Sequence, residues 1–172
     1  TTSCGTSTRR SRRRARSGPP GVFTYVCLGT RDVHRAAAFY DPVLAPLGLT
    51  RCATPGEEID GWAGWGTYLD GGAVEVALWL CTPFDGRPAT AGNGTMVALK
   101  APSWRAVREF HAAALRAGGT SEGEPGLRPH YNADFYAAYV RDPDGHKLAA
   151  VCRGFERDPD EAPDPPAPME GP

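Results

Sequence analysis

The sequence predicts an α+β fold built from two copies of a βαβββ unit, with one helix per copy on the outer side of the sheets. Three observations predict it. Shifting the chain by 71 residues lays Val26 on Val97, Leu28 on Leu99, Phe39 on Phe110, Leu44 on Leu115 and Gly48 on Gly119, as a repeated supersecondary unit would. In each copy a β-branched or aromatic run precedes a helix-period stretch, and further strand runs follow. Asp70-Gly71-Gly72 and Asp142-Pro143-Asp144-Gly145 each separate two such runs, and both are turn sequences.

The elements follow in order. Val22–Gly29 reads as a strand. Asp32 then caps a helix with Val33, Ala36, Ala37, Tyr40, Val43, Leu44 and Leu47 on one face. Pro42 should kink this helix and Gly48 should end it. Strands are expected near Leu49–Ala53, at Trp62–Leu69 and at Ala73–Cys81. Along the last of these, Glu75, Ala77, Trp79 and Cys81 share one face. Val74, Val76, Leu78 and Leu80 share the drier face, which should pack against the helices. In the second copy Thr95–Lys100 reads as a strand, and Ser103 caps a helix with Trp104, Val107, Phe110, Ala114 and Leu115 inward before Gly118-Gly119. A short strand near Thr120, then Phe135–Arg141 and His146–Cys152, complete the unit.

A chain of 172 residues suits one domain, or two small modules sharing a core. The folded region is expected over 22–154, with module one at about 22–85 and module two at about 94–154. Residues 1–21 carry six arginines and no acid, and 155–172 carry six acids and six prolines. Both ends read as disordered, because neither has the apolar residues to offset the entropy of ordering. The preferred reading of 1–21 is a leader without function, with Val22 as a candidate true start. The body between them is close to neutral and offers no electrostatic footprint for nucleic acid. No apolar run is long enough to span a bilayer. Five widely spaced cysteines without a CxxC pair argue against a disulfide scaffold and a structural zinc module. Cys27, Cys81 and Cys152 read as small apolar core residues of a reduced, cytoplasmic protein.

The segments FTYVCLGTRDVHRAAAFYDPVLAPLG (23–48) and YAAYVRDPDGHKLAAVC (136–152) resemble the vicinal oxygen chelate superfamily, which includes glyoxalase I, bleomycin-resistance proteins and extradiol dioxygenases. The resemblance implies that the two modules form one cupped mixed sheet around a small-molecule cavity, and that the chain pairs as a homodimer. It also implies a divalent metal in the cup, held by His and carboxylate ligands, which would act as a Lewis acid on substrate oxygens. The positions that match those ligands hold Tyr25, Met96 and Ala149. Tyr is a poor ligand at neutral pH, Met is too soft for Mg, Mn or Ni, and Ala offers no donor. Glu75 is a candidate fourth carboxylate, although a one-residue slip in register would turn it to the other face. No divalent cofactor is therefore expected at this site.

Among other titratable groups, His34 and His111 are expected to face solvent from the helices, and His146 to be exposed after its turn. His130, in Arg128-Pro129-His130-Tyr131-Asn132, is the remaining candidate acid or base, beside Glu75. Aromatic residues dominate the strands: Tyr25, Trp62, Trp65, Tyr68, Trp79, Tyr131, Tyr136 and Tyr139. Half of them should simply fill the core. The rest, with Met96 and Ala149, would line an apolar pocket in which Tyr25, Trp79, Tyr131 and Tyr139 meet the ligand. Two functions follow: a metal-free protein that sequesters a planar or aromatic small molecule, or a glyoxalase-type lyase, isomerase or dioxygenase-like enzyme that uses an atypical site.

Overall fold

The computed structural model describes residues 22–52 and 61–154. The Arg-rich leader, the acidic tail and the end of the expected Leu49–Ala53 strand lie outside them. Strand β1 (Tyr25–Gly29) leads to α1 (Val33–Leu44), then β2 (Trp62–Leu69) and β3 (Val74–Cys81). Module two has the same order with one more strand after its helix: β4 (Met96–Lys100), α2 (Trp104–Arg116), β5 (Thr120–Leu127), β6 (Tyr136–Arg141) and β7 (Lys147–Cys152). Both helices start at the expected caps: Asp32 accepts from the Arg35 amide, and Ser103 from the Ala106 amide. Pro42 is carried inside α1 without ending it, and a 3-10 turn at Ala45–Leu47 closes on Gly48 in the left-handed conformation.

The strands form two sheets, in the orders β1-β3-β2 and β4-β7-β6-β5. In each sheet the first strand of the module lies parallel to the last, at an edge. Where a strand was expected at Leu49–Ala53, the described residues make a single bridge, Arg51 to Trp65. Hydrogen bonds from Gly66 to Thr50 and from Cys52 to Gly64 flank it. The strand near Thr120 is longer than expected, because register shifts at Gly123 and before Gly126 let it stay paired with β6 for eight residues.

One hydrophobic cluster joins the two modules. Leu28, Ala63, Trp65, Leu78 and Leu80 of the first sheet and Tyr136, Val140, Leu148 and Ala150 of the second meet α1 and α2 in it. The drier face of β3 is the core face, as its alternation indicated. Val74 and Val76 extend beyond that core and stay exposed.

Four expectations about single residues are corrected. Leu115 is exposed, because the buried arc of α2 runs through Ala106, Val107, Phe110, His111, Ala113 and Ala114. His111 is therefore buried rather than solvent-facing. It shares a hydrogen bond with Ser121 at 2.9 Å, and burial lowers its pKa against the opposing pull of Glu124. His146 is also buried: its Nε2–H donates to the Gly29 carbonyl at 2.6 Å. Cys27, expected in the core, is exposed, whereas Cys81 and Cys152 are buried. His34 is exposed on α1.

The Asp142–Gly145 turn ties module two to the β1–α1 junction. Asp144 accepts from the Thr30 hydroxyl and from Arg35, while Asp142 accepts from the Tyr40 hydroxyl at 2.7 Å. Burial first, and the neighbouring Asp142 charge second, hold the Tyr40 phenol well above its ordinary pKa. The fold thus favours neutral tyrosine. That contribution is complete below the unfolded value near about 10 and is lost as pH rises beyond it. Urea unfolding at about pH 9 and about pH 11 should show falling stability in the natural chain and a shallower fall in Tyr40→Phe. At neutral pH that variant should lose about 2 kcal/mol, since Asp142 loses a buried donor.

Candidate functional site

Each sheet has a second face, turned away from the shared core. In module one the register sets Tyr25 opposite Ala77 and Cys27 opposite Trp79, and β2 sets Trp62 opposite Cys81 and Gly64 opposite Trp79. Period-two alternation then places Tyr25, Cys27, Glu75, Trp79, Trp62 and Tyr68 on this side. The indole N–H of Trp79 donates to Glu75 Oε1 at 2.7 Å. Glu75 therefore shares the side of Trp79. Trp62 and Tyr68 meet the Trp79 ring edge-on, with centroids 6.3 and 5.6 Å away. Trp65 and Tyr136 point the other way. Trp65 is buried and donates to Asp41, and Tyr136 stacks on Trp104 at 4.5 Å.

In module two Ala98, Ala149 and Tyr139 lie side by side across β4, β7 and β6, and Met96 is opposite Lys147. This side is more polar. The Arg128 guanidinium lies 5.5 Å and the Lys147 ammonium 5.4 Å from the Tyr139 ring centroid, both in cation–π range. Lys147 also pairs with Glu122 at 3.0 Å. The hydrogen bonds of Arg141 and then Lys147 hold the Glu122 carboxyl below its usual range. Burial, and then the nearby Tyr131, push the Tyr139 phenol up, against the opposing effect of Arg128. Tyr131 is exposed on the β5–β6 loop, with its ring against those of His130 and Phe135. His130 is exposed too.

The edge strands β1 and β4 both line an apolar cleft of about 290 Å³. Val26, Leu78, Val97 and Leu99, with Trp65, line it from the core-facing sides of the two sheets, and Tyr25, Ala98 and Lys100 stand at its edge. Of the residues singled out from sequence, Tyr25 and Trp65 line this cleft. Trp79 and Glu75 belong to the second face of module one, Met96, Ala149 and Tyr139 to that of module two, and His130 and Tyr131 to the loop. Ala98 and Lys100 were missed, although both alternate with Met96 along β4. Arg128 and Lys147 were missed because their approach to Tyr139 depends on the loop and on register.

The donors do not suit a divalent metal. Tyr25 offers an exposed phenol, Met96 a thioether, and Ala149, fully buried, no donor at all. Glu75 has one oxygen engaged by Trp79. Among the described residues no three His, Cys, Asp or Glu side chains gather to hold a metal ion. No helix among them is long and apolar enough to cross a membrane.

A family model described as the Glyoxalase/Bleomycin resistance protein/Dioxygenase superfamily matches residues 22–150. The chain belongs to this superfamily. Among solved structures, a glyoxalase/bleomycin resistance protein from Albidiferax ferrireducens T118 is 32% identical with a TM-score of 0.66, and the match covers 77% of this chain and all of that one. Lactoylglutathione lyase from Agrobacterium tumefaciens matches at 20% identity with a TM-score of 0.52, covering 80% of this chain and 100% of its own. A glyoxalase/bleomycin resistance protein/dioxygenase family enzyme from Burkholderia phytofirmans PsJN matches at 19% identity with a TM-score of 0.55, covering 76% and 97%. No curated protein matches the sequence. The last two likenesses establish the fold of this superfamily member rather than its chemistry.

Proposed function

We propose that this superfamily member binds a small planar or aromatic molecule without a divalent metal. One observation carries the reading: the superfamily's ligand positions hold Tyr25, Met96 and Ala149, none of which suits a divalent ion, while β1 and β4 enclose an apolar cleft beside Tyr25. A cleft of about 290 Å³ lined by apolar and aromatic groups has the character of a small-ligand site. Lys100, at its edge, would orient the polar end of a ligand.

Thermal denaturation with a panel of planar aromatic compounds tests the proposal. A compound present at about 100 times its Kd should stabilise the fold by about 2.7 kcal/mol, which raises Tm by roughly 8 °C for a domain of this size. Chelator should leave that shift unchanged. Val76→Trp, which fills the cleft from an exposed position on the core-facing side of β3, should abolish it while leaving the ligand-free Tm within about 2 °C. A shift seen only after a divalent metal is added, or stoichiometric divalent metal in the purified chain, would overturn the reading.

A further inference from the structure

The second face of module one carries a pair of thiols that neither the superfamily's ligand positions nor the cleft explains. Cys27 and Cys81 stand on the neighbouring parallel strands β1 and β3, and their sulfur atoms are 3.3 Å apart. Cys27 is exposed on an edge strand, and Cys81 is buried behind it. Solvent thus reaches the pair from one side.

We propose that Cys27 and Cys81 form a two-thiolate site for a soft monovalent d¹⁰ cation, with copper(I) as its characteristic occupant. Donor number and donor softness select the ion. Zinc takes four protein ligands in structural sites and three in catalytic ones, yet no third His, Cys, Asp or Glu joins this pair among the described residues. Magnesium and calcium take oxygen ligands, which the pair lacks. Thiolates select soft ions such as Cu(I), and two donors complete a linear coordination.

Binding is an exchange of protons for metal: Cu⁺ and two thiols give a bis-thiolate copper complex and two protons, which leave to solvent. Nothing is oxidised or reduced. With bonds of about 2.3 Å, the length typical of zinc–thiolate, a linear arrangement needs the sulfurs about 4.6 Å apart. Cys27, the exposed member on the edge strand, supplies that movement. Although the residue is exposed, loss of water around its sulfur, and then its contact with Cys81, push the Cys27 thiol above its ordinary pKa. A metal must displace its proton, so affinity for the metal should rise with pH.

The test is an anaerobic titration of the reduced full chain with copper(I), using bicinchoninate as a coloured competitor. The natural chain should withdraw one copper(I) from the competitor complex, and, with two protons released, its affinity should rise by about a hundredfold per pH unit between about pH 6 and pH 8. Cys27→Ser should weaken that affinity at least about a hundredfold, since a soft thiolate, one of only two donors, is replaced by a hydroxyl that Cu(I) binds poorly. Cys4→Ser, Cys52→Ser and Cys152→Ala should leave the site intact. Cys81→Ser should match Cys27→Ser, with circular dichroism to confirm that this buried substitution still folds. Cys27 is exposed, so the Cys27→Ser result stands whether or not the Cys81 variant folds. A natural chain that withdraws no copper, or a Cys27→Ser variant that retains full affinity, overturns the proposal.

Discussion

Replacing Asp144 by alanine should lower the unfolding free energy by about 3 kcal/mol and Tm by roughly 9 °C. The Asp144 side chain is 4% exposed, and it accepts from the Thr30 hydroxyl at 2.6 Å and from Arg35 at 2.5 Å, with Arg31 at 3.3 Å. Every one of those partners belongs to module one, at the junction of β1 and α1. The two arginines are about half exposed and regain water when the carboxylate is removed, while Thr30 keeps a second acceptor in the Asp32 carbonyl. The loss is therefore that of the charge-assisted bonds, the packed side chain and the tie between modules, without a stranded buried cation. Asp144→Asn, which keeps the volume, separates charge from packing. Asp85 supplies the contrast: its contact with Arg87 is 3.9 Å long between exposed groups, and Asp85→Ala should cost under about 0.5 kcal/mol. Chemical denaturation of the three variants beside the natural chain gives the comparison, and a loss below about 1 kcal/mol for Asp144→Ala would show that the turn merely rests on module one.

The pieces that were legible in the sequence are those decided by neighbours a few residues away. Asp32 and Ser103 announce their helices because a cap acts on an amide three residues on. Strand alternation sorted β3 into a core face and a second face, since side chains alternate whatever the strand pairs with. The DPDG turn was recognisable from its own residues, but its role as a latch was not. That role depends on Thr30 and Tyr40, 114 and 102 residues from their partners.

The corrected residues share that cause. His146 follows a turn, which suggested exposure, yet a carbonyl 117 residues away takes its ring nitrogen. His111 lies where the buried arc of α2 meets β5, and the rotation of that arc is set by the sheet rather than by the helix's own pattern. The same rotation leaves Leu115 outside. Cys27 looked like core because it is small and lies on a strand, but its strand is an edge and its side is the one turned from the helices. The site was legible in part: Tyr25 was singled out and lines the cleft, whereas Lys100 enters only once β4 is known to face β1 across it.

Substituting Gly64 by alanine should cost about 2 to 3 kcal/mol, although the backbone there is ordinary strand and tolerates alanine. The cause is Trp79, which lies directly opposite Gly64 in the β2–β3 register. A methyl added at Gly64 would overlap the six-membered ring of that indole. The ring has nowhere easy to go. It is nearly buried, Trp62 and Tyr68 pack edge-on against it, and its N–H is held at 2.7 Å by Glu75. To admit the methyl, the indole must tilt, stretch that bond and expose part of its face to water, so tryptophan emission should shift to longer wavelength along with the loss of stability. Shortening the obstacle should relieve the clash: in a Trp79→Leu background the same Gly64→Ala change should be nearly neutral, giving a coupling of about 2 kcal/mol in the double-mutant cycle. Additive effects in that cycle would mean that Gly64 matters for its own backbone, and an undiminished Gly64→Ala stability would mean that the indole is free to move aside.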